Sequence, residues 1–363
     1  MKNILTNKST RKDFITYAMV IIVYAVFQIL VSQGSVSSSL QGQLIPICVY
    51  IVMAVSLNLV VGISGELSLG HAGFMSVGAF SGVVAATCLQ NLIPSGGLRL
   101  AVSMVIAGII AGIAGFLIGI PVLRLRGDYL AIVTLAFCEI IKNILNNLYV
   151  GLDAEGIHFS MKSAAEMHMT AGTVIINGPM GAVGIQKLST FFAGFALIMI
   201  CLVVVLNLIR SRTGRAIMAI RDNRIAAESV GLNATRYKLT AFVTAAVLAG
   251  MAGALYAMNY STIVPKKFDF NTSILILVFV VLGGIGNIRG SIISATILTV
   301  LPELLRAFND YRMLIYAIVL IVVMLGTNNP KLTAIIQRYT GKIGKNKGKA
   351  APAAVGEGGT ADD

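Results

Sequence analysis

Long apolar blocks separated by short polar breaks run through most of this chain. A helix needs about 20 apolar residues to cross the hydrocarbon core of a bilayer. About ten blocks approach that length: 14–31, 44–62, 71–90, 98–120, 129–149, 190–209, 239–258, 272–287, 290–305 and 311–327. The pattern predicts an all-α, polytopic integral membrane protein. Glycines and polar residues interrupt 272–305 at Gly283, Gly284, Gly286, Asn287, Arg289 and Gly290, so this stretch reads as two helices or as one discontinuous element. The expected organisation is an N-terminal segment 1–13, a membrane domain 14–327 and a partly disordered tail 328–363. Two connections are long, 150–189 and 210–238.

Composition excludes a soluble enzyme. Charged residues make up 12% of the 363 and hydrophobic ones 56%, whereas a soluble domain carries about 25% charged residues. The net charge of +13, from 28 Lys and Arg against 15 Asp and Glu, therefore concerns membrane sidedness rather than nucleic acid. With residue 1 on the cytoplasmic side, eight positives (Arg99, Lys142, Lys162, Lys187, Lys266, Lys267, Arg306 and Arg312) fall outside or near outer span ends. The remaining 20 fall inside, as the positive-inside rule requires. Ten spans then place both termini in the cytoplasm, the loop 150–189 outside and the loop 210–238, with seven positives, inside. The cysteines Cys48, Cys88, Cys138 and Cys201 each lie inside an apolar block and read as small buried residues. No phosphate-binding GxxxxGK(S/T), HExxH or GxSxG occurs, so the chain offers no nucleotide-binding motif and no catalytic constellation. No metal-ligand spacing is present either.

Four features carry candidate chemistry. The run Gly62–Phe74 holds four glycines in twelve residues up to Gly73 and contains Glu66, Ser68 and His71. So many glycines disfavour a straight helix. They fit a broken element along a substrate path or a tight turn with Glu66 solvated, and a helix start here would suit a carboxylate. In the block 129–149, Glu139, Lys142, Asn143 and Asn146 share one helical face, either as a polar pathway stripe or as a self-satisfied ion pair. Gly108, Gly112, Gly115 and Gly119, and likewise Ala249 and Gly253, form small-residue stripes that allow close helix packing. In the inner loop, Asp222 can cap a short helix that ends at Gly231. Ala216, Ile220, Ala227 and Val230 form its apolar stripe, interrupted by Asn223. Such a helix is suited to a protein groove. The runs 61–74 and 282–294 both place a Gly-rich break between apolar spans, as paired transporter repeats do, although packing alone produces such breaks too.

The stretches GELSLGHAGFMSVGAF (65–80), LRLRGDYLAIVTLAFCEIIKNILNN (123–147), RDNRIAAESVGLNATRYKLTAFVTAAVLAGMAGALYA (221–257) and VLGGIGNIRGSIISA (281–295) resemble the inner-membrane permeases of bacterial branched-chain amino acid ABC transporters, of the LivM type. The likeness is ordered and covers most of residues 44–327. It implies an importer of Leu, Ile or Val in the bacterial inner membrane, with a second, LivH-type permease, two cytoplasmic ATP-binding subunits that carry ATP and Mg, and an extracytoplasmic binding protein. It also implies that Arg221, Asp222, Asn223, Ala226, Ala227, Glu228 and Gly231 couple the chain to the ATPase, with Ile225 standing where the general coupling motif has Glu. In the outer loop, Asn177–Gly181 stands in place of the family's TGG-like stretch. Together with the pathway reading, the resemblance points to Glu66, Ser68, His71, Thr134, Glu139 and Asn143 as path residues. Related permeases carry urea and short amides. A proton-coupled transporter using Glu139 is the competing class.

Overall fold

The computed structural model describes residues 8–34, 38–125, 127–153, 156–167 and 172–305, together with Leu314, Ala317, Ile318 and Ile321, which are helical. The chain divides into two compact units, Met1–Met313 and Leu314–Asp363. The bundle, its core and the sheet all belong to the first unit. The block 311–327, the tail 328–363 and the first seven residues of 1–13 lie outside the described residues or nearly so.

Eleven α-helices are present among the described residues. They are α1 (Lys8–Ser32), α2 (Ser38–Asn58), α3 (His71–Cys88), α4 (Gly96–Val122), α5 (Asp128–Asn146), α6 (Phe191–Arg210), α7 (Arg212–Asp222), α8 (Arg224–Ser229), α9 (Ala234–Ala257), α10 (Phe270–Gly283) and α11 (Ile288–Leu304). Seven are long and apolar enough to cross a membrane: α1 to α6 and α9. The expectation of ten is therefore supported only as seven. The ambiguous stretch resolves into two helices, but α10 has 14 residues and α11 has 17, below the span length. Gly284 (φ +89°) and Gly286 (φ +82°) form the break between them, in a backbone region that L side chains avoid.

The connection 150–189 corrects the all-α expectation. The apolar pattern reads 150–189 as a loop, yet a small antiparallel sheet forms from β1 (Tyr149–Asp153), β2 (Gly156–Ser160), β3 (Thr173–Asn177), β4 (Ala182–Val183) and β5 (Thr262–Ile263), in the order β2-β1-β3-β4-β5. The fold is mainly helical with a sheet at one end. Tyr149, Val150, Ile157, Phe159, Val174, Ile175 and Ile176 supply the β-branched and aromatic side chains that favour strands. Tyr149 pairs with Ser160 on one side and Asn177 on the other. This pairing ends α5 at Asn146 rather than at 149.

The core is the α3–α4–α9 cluster, and the small-residue stripes form it. A Cβ on Gly253 would lie 2.0 Å from the Met75 carbonyl oxygen, and one on Gly250 would lie 2.4 Å from the Ala111 Cβ. Gly108, Gly112, Gly115 and Gly119 of α4 face Met251, Val247, Ala246 and Leu239 of α9 in the same way. Backbones this close gain dispersion contacts that lipid cannot supply. Replacing Gly253 with Val is expected to destabilise the permease by at least about 1–3 kcal/mol, the usual cost of overpacking, because backbone has to move. A lowered unfolding midpoint in detergent checks this, and an unchanged midpoint contradicts it. The outward face of α4 carries exposed Val105, Ile109, Ile113, Phe116 and Leu117, as a lipid-facing surface should. Arg99 is buried near the start of α4 and donates to Gln186 Oε1 at 2.6 Å, tying the helix to the segment after β4.

Candidate functional site

The end of the bundle that carries α7 and α8 gathers most of the polar groups. Helix α2 does not stop at Asn58. It widens into a π-helical turn, Leu59–Ile63, whose residues are all buried. The Ser64 N–H donates to Leu59 O at 3.1 Å and the Glu66 N–H to Val60 O at 3.1 Å. The chain then crosses 64–70 without regular structure and enters α3 at His71. π-turns inside helices are rare and often mark functional sites.

This turn meets the break between α10 and α11. A Cβ on Gly62 would lie 2.3 Å from the Gly286 nitrogen and 2.1 Å from Asn58 Oδ1, so only glycine fits. The Gly286 N–H donates to Asn58 Oδ1 at 2.8 Å, and Asn58 Nδ2 donates to Ser291 Oγ at 2.9 Å. The two Gly-rich breaks noted in the sequence are therefore in direct contact.

From the other side, Arg221 at the end of α7 donates through Nη1 to Gly62 O at 2.8 Å. Its Nε and Nη2 both donate to Asp222 Oδ1, at 3.0 and 2.9 Å. Gly65 (φ +75°) lies under the Arg221 stem, where any Cβ would sit 2.6 Å from Cγ. Glu66 forms an ion pair with Lys238 of α9, and both side chains are nearly enclosed, at 12% and 11% exposure. Glu66 is thus not a solvated turn residue.

The other expected path residues fall into two groups. Ser68, His71 and Thr134 are buried together. Thr134 Oγ1 accepts from the Leu69 N–H at 3.0 Å and donates to Ala131 O at 2.9 Å. The hydroxyl proton of Ser56 faces Met53 O at 3.0 Å, so His71 Nε2–H donates to Ser56 Oγ at 2.8 Å. Ser68 Oγ has no hydrogen-bond partner among the described residues. The start of α3 was expected to offer free N–H groups to a carboxylate. Instead the Ala72 N–H already donates to Ser273 Oγ of α10, at 3.2 Å. Glu139 and Asn143 lie elsewhere. Asn143 is nine residues beyond Thr134, about 13 Å along α5, and is exposed. Glu139 is paired with Lys142 and remains 34% exposed. The exposed Ile132, Ile140 and Ile144 flank this polar pair on α5.

The connection 210–238 is two helices rather than one, and Asn223, not Asp222, provides the cap of the second. Asn223 is extended (φ −152°, ψ 103°) and accepts from the Ala226 N–H at 3.0 Å, starting α8, while Asp222 is held by Arg221. An extended residue with a short acceptor side chain ends one helix and caps the next. Ala227 is buried with Ile220 and Ala234, against Leu232 and Tyr237. Glu228 accepts from Arg224 at 2.8 Å, and Gly231 takes φ +87°. The expected stripe holds for Ala216, Ile220 and Ala227 and fails at Val230, which is 76% exposed beside Ile225 at 82% and the exposed Ala226. Ser56, Asn58, Lys238, Ser273 and Ser291 were not singled out as site residues from the sequence. A lone Ser or Asn inside an apolar block was the available signal.

Residues 39–324 match the family described as branched-chain amino acid transport system / permease component. The chain is 34% identical over 353 residues to the high-affinity branched-chain amino acid transport system permease protein LivM of Salmonella typhimurium, covering 94% of this chain and 80% of that protein. The LivM protein of Escherichia coli gives the same identity and coverage. The ribose import permease protein RbsC of Haemophilus influenzae is 25% identical over 287 residues, 76% of this chain and 81% of the relative. No solved structure matches.

Proposed function

The chain belongs to the family of permease components of branched-chain amino acid transport systems, and from that premise we propose that it is the membrane subunit of an ATP-driven importer of Leu, Ile and Val. The 34% identity to LivM across 94% of the chain carries this reading. It is a transport subunit rather than an enzyme. It works in the bacterial inner membrane with both termini in the cytoplasm, which puts α7 and α8 on the cytoplasmic side and the sheet outside. A second, LivH-type permease completes the path. Two ATP-binding subunits, which hold ATP and Mg, dock on α7 and α8, and a binding protein delivers the amino acid at the sheet end.

In this mechanism no bond in the cargo is made or broken. Free energy enters as differential binding of the partners to two states of the permease. The residues Arg221, Asp222, Asn223, Ala226, Ala227, Glu228 and Gly231 form the coupling element. The cluster of Glu66, Ser68, His71 and Thr134 and the outer pair Glu139 and Asn143 line successive parts of the path. An ionisable pair at membrane depth is costly against lipid, so the α5 face with Glu139, Lys142 and Asn143 faces the path or the second permease.

Two experiments test this reading. Purified with its co-encoded partners and placed in proteoliposomes, the chain should bring an ATP-binding subunit with it and take up leucine only with ATP inside. Uptake that survives ATP removal and collapses with the proton gradient would favour the proton-coupled alternative, and ribose or urea uptake would change the cargo. Glu139→Gln, which keeps shape and removes charge, should lower leucine uptake about tenfold, within the range of functional couplings, with assembly intact. Wild-type uptake would remove Glu139 from the path.

A further inference from the structure

We infer that the π-turn Leu59–Ile63 is the hinge of this permease, and that Arg221 and Asn58 are the two positioning residues through which α7 moves it. The inference rests on the importer reading and adds the element that carries the motion.

The geometry is that of a clamp with one moving arm. The fork of Arg221 is divided: Nε and Nη2 are held by Asp222 on the same helix, which aims Nη1 at Gly62 O. A planar guanidinium makes both contacts at fixed angles, and an ammonium cannot. Any shift of α7 is therefore transmitted to a single backbone carbonyl. That carbonyl belongs to the wide turn, where the bonds reach five and six residues back, from Ser64 to Leu59 and from Glu66 to Val60. A turn of this kind converts to a tighter one by exchanging acceptors rather than losing them, which is how a helix segment changes register at small cost.

Asn58 carries the motion onward. Its amide spans the break, accepting from the Gly286 N–H and donating to Ser291 Oγ, and it is itself fully buried. The backbones of Gly62 and Gly286 touch, with no room for a Cβ on Gly62. Movement of Gly62 therefore displaces Gly286, whose positive φ and that of Gly284 let the break absorb it. The start of α11 then moves with α7 through this junction. A simple helix cap at Gly62 would need neither the second glycine break nor the bridging amide.

The test uses the assembled importer in proteoliposomes with its binding protein, and reads leucine taken up per ATP hydrolysed. Asn58→Ala is deep in the permease. It should keep ATP hydrolysis within about twofold while uptake per ATP falls about tenfold, a typical coupling free energy. Arg221→Lys should lower the same ratio. The double variant should be no worse than the worse single one within about twofold, since residues acting through one junction are not additive. In Arg221→Lys, amide exchange at Ser64 and Glu66 should quicken by about tenfold, reporting the loosened turn directly. Wild-type uptake per ATP in either variant, multiplying losses, or unchanged exchange in Arg221→Lys would each overturn the hinge, and the exchange decides whether or not the ATP-binding subunits stay attached to that variant. If Asn58→Ala does not assemble, the ratio and the exchange in Arg221→Lys decide alone. A wild-type complex that needs no ATP would instead refute the importer reading.

Discussion

Glu66→Gln is expected to destabilise the permease by about 3–5 kcal/mol, the cost of stranding one member of a buried ion pair. The Lys238 side chain is only 11% exposed and contacts Glu66 directly. Gln keeps the shape of Glu66 and leaves the ammonium without its counter-charge. The pair also joins the segment after the π-turn to the first turns of α9, one of the three helices of the core cluster. Its loss should therefore loosen the end of the bundle that we propose couples to the ATP-binding subunits. Unfolding midpoints in detergent check this for Glu66→Gln, Lys238→Gln and the double variant. The double variant should recover much of the loss, because no charge then remains buried alone. Single losses that simply add would mean the two groups act separately.

The second large effect concerns assembly. Ile225→Asp combined with Val230→Asp should remove the ATP-binding subunits from the purified complex. These two side chains are 82% and 76% exposed, Ile225 in α8 and Val230 just past its end, and the helix is otherwise held by its Asn223 cap and the Arg224–Glu228 pair. We take these two exposed apolar side chains as anchors of the proposed docking face. Central apolar anchors of an interface are worth about 2 kcal/mol or more each, and a carboxylate in their place adds the cost of desolvating a charge. The permease itself should unfold at its wild-type temperature, because neither residue packs inside. Retention of the partners would move the docking face elsewhere on the loop.

The membrane character of the chain was legible residue by residue. Apolar blocks, the scarcity of charge and the small-residue stripes require helices that cross a bilayer and pack closely, and Gly108 and Gly253 stand where the stripes put them, against α9 and α3. The pairing of Glu139 with Lys142 was also readable, because an offset of three residues is fixed by helix geometry alone. The sheet was not legible. Its strands are two to five residues long, too short for a clear alternation, and β5 comes from 79 residues beyond β4. The Asn223 cap was displaced by one position because Asp222 and Asn223 have equal capping chemistry. Which one caps depends on Arg221 holding Asp222.

What the sequence determined by itself is therefore local or periodic: which segments are apolar enough to leave water, which faces are small enough for close approach, and which glycine runs cannot continue a helix. The tertiary structure alone decided which of those glycine runs meet. Gly62 and Gly286 are 224 positions apart, Arg221 reaches Gly62 across 159 and Lys238 reaches Glu66 across 172. No period in the sequence encodes these contacts. They follow from how α2, α7, α9 and the α10–α11 pair fill one volume, where each buried polar group has to find a partner on whichever element packing brings beside it.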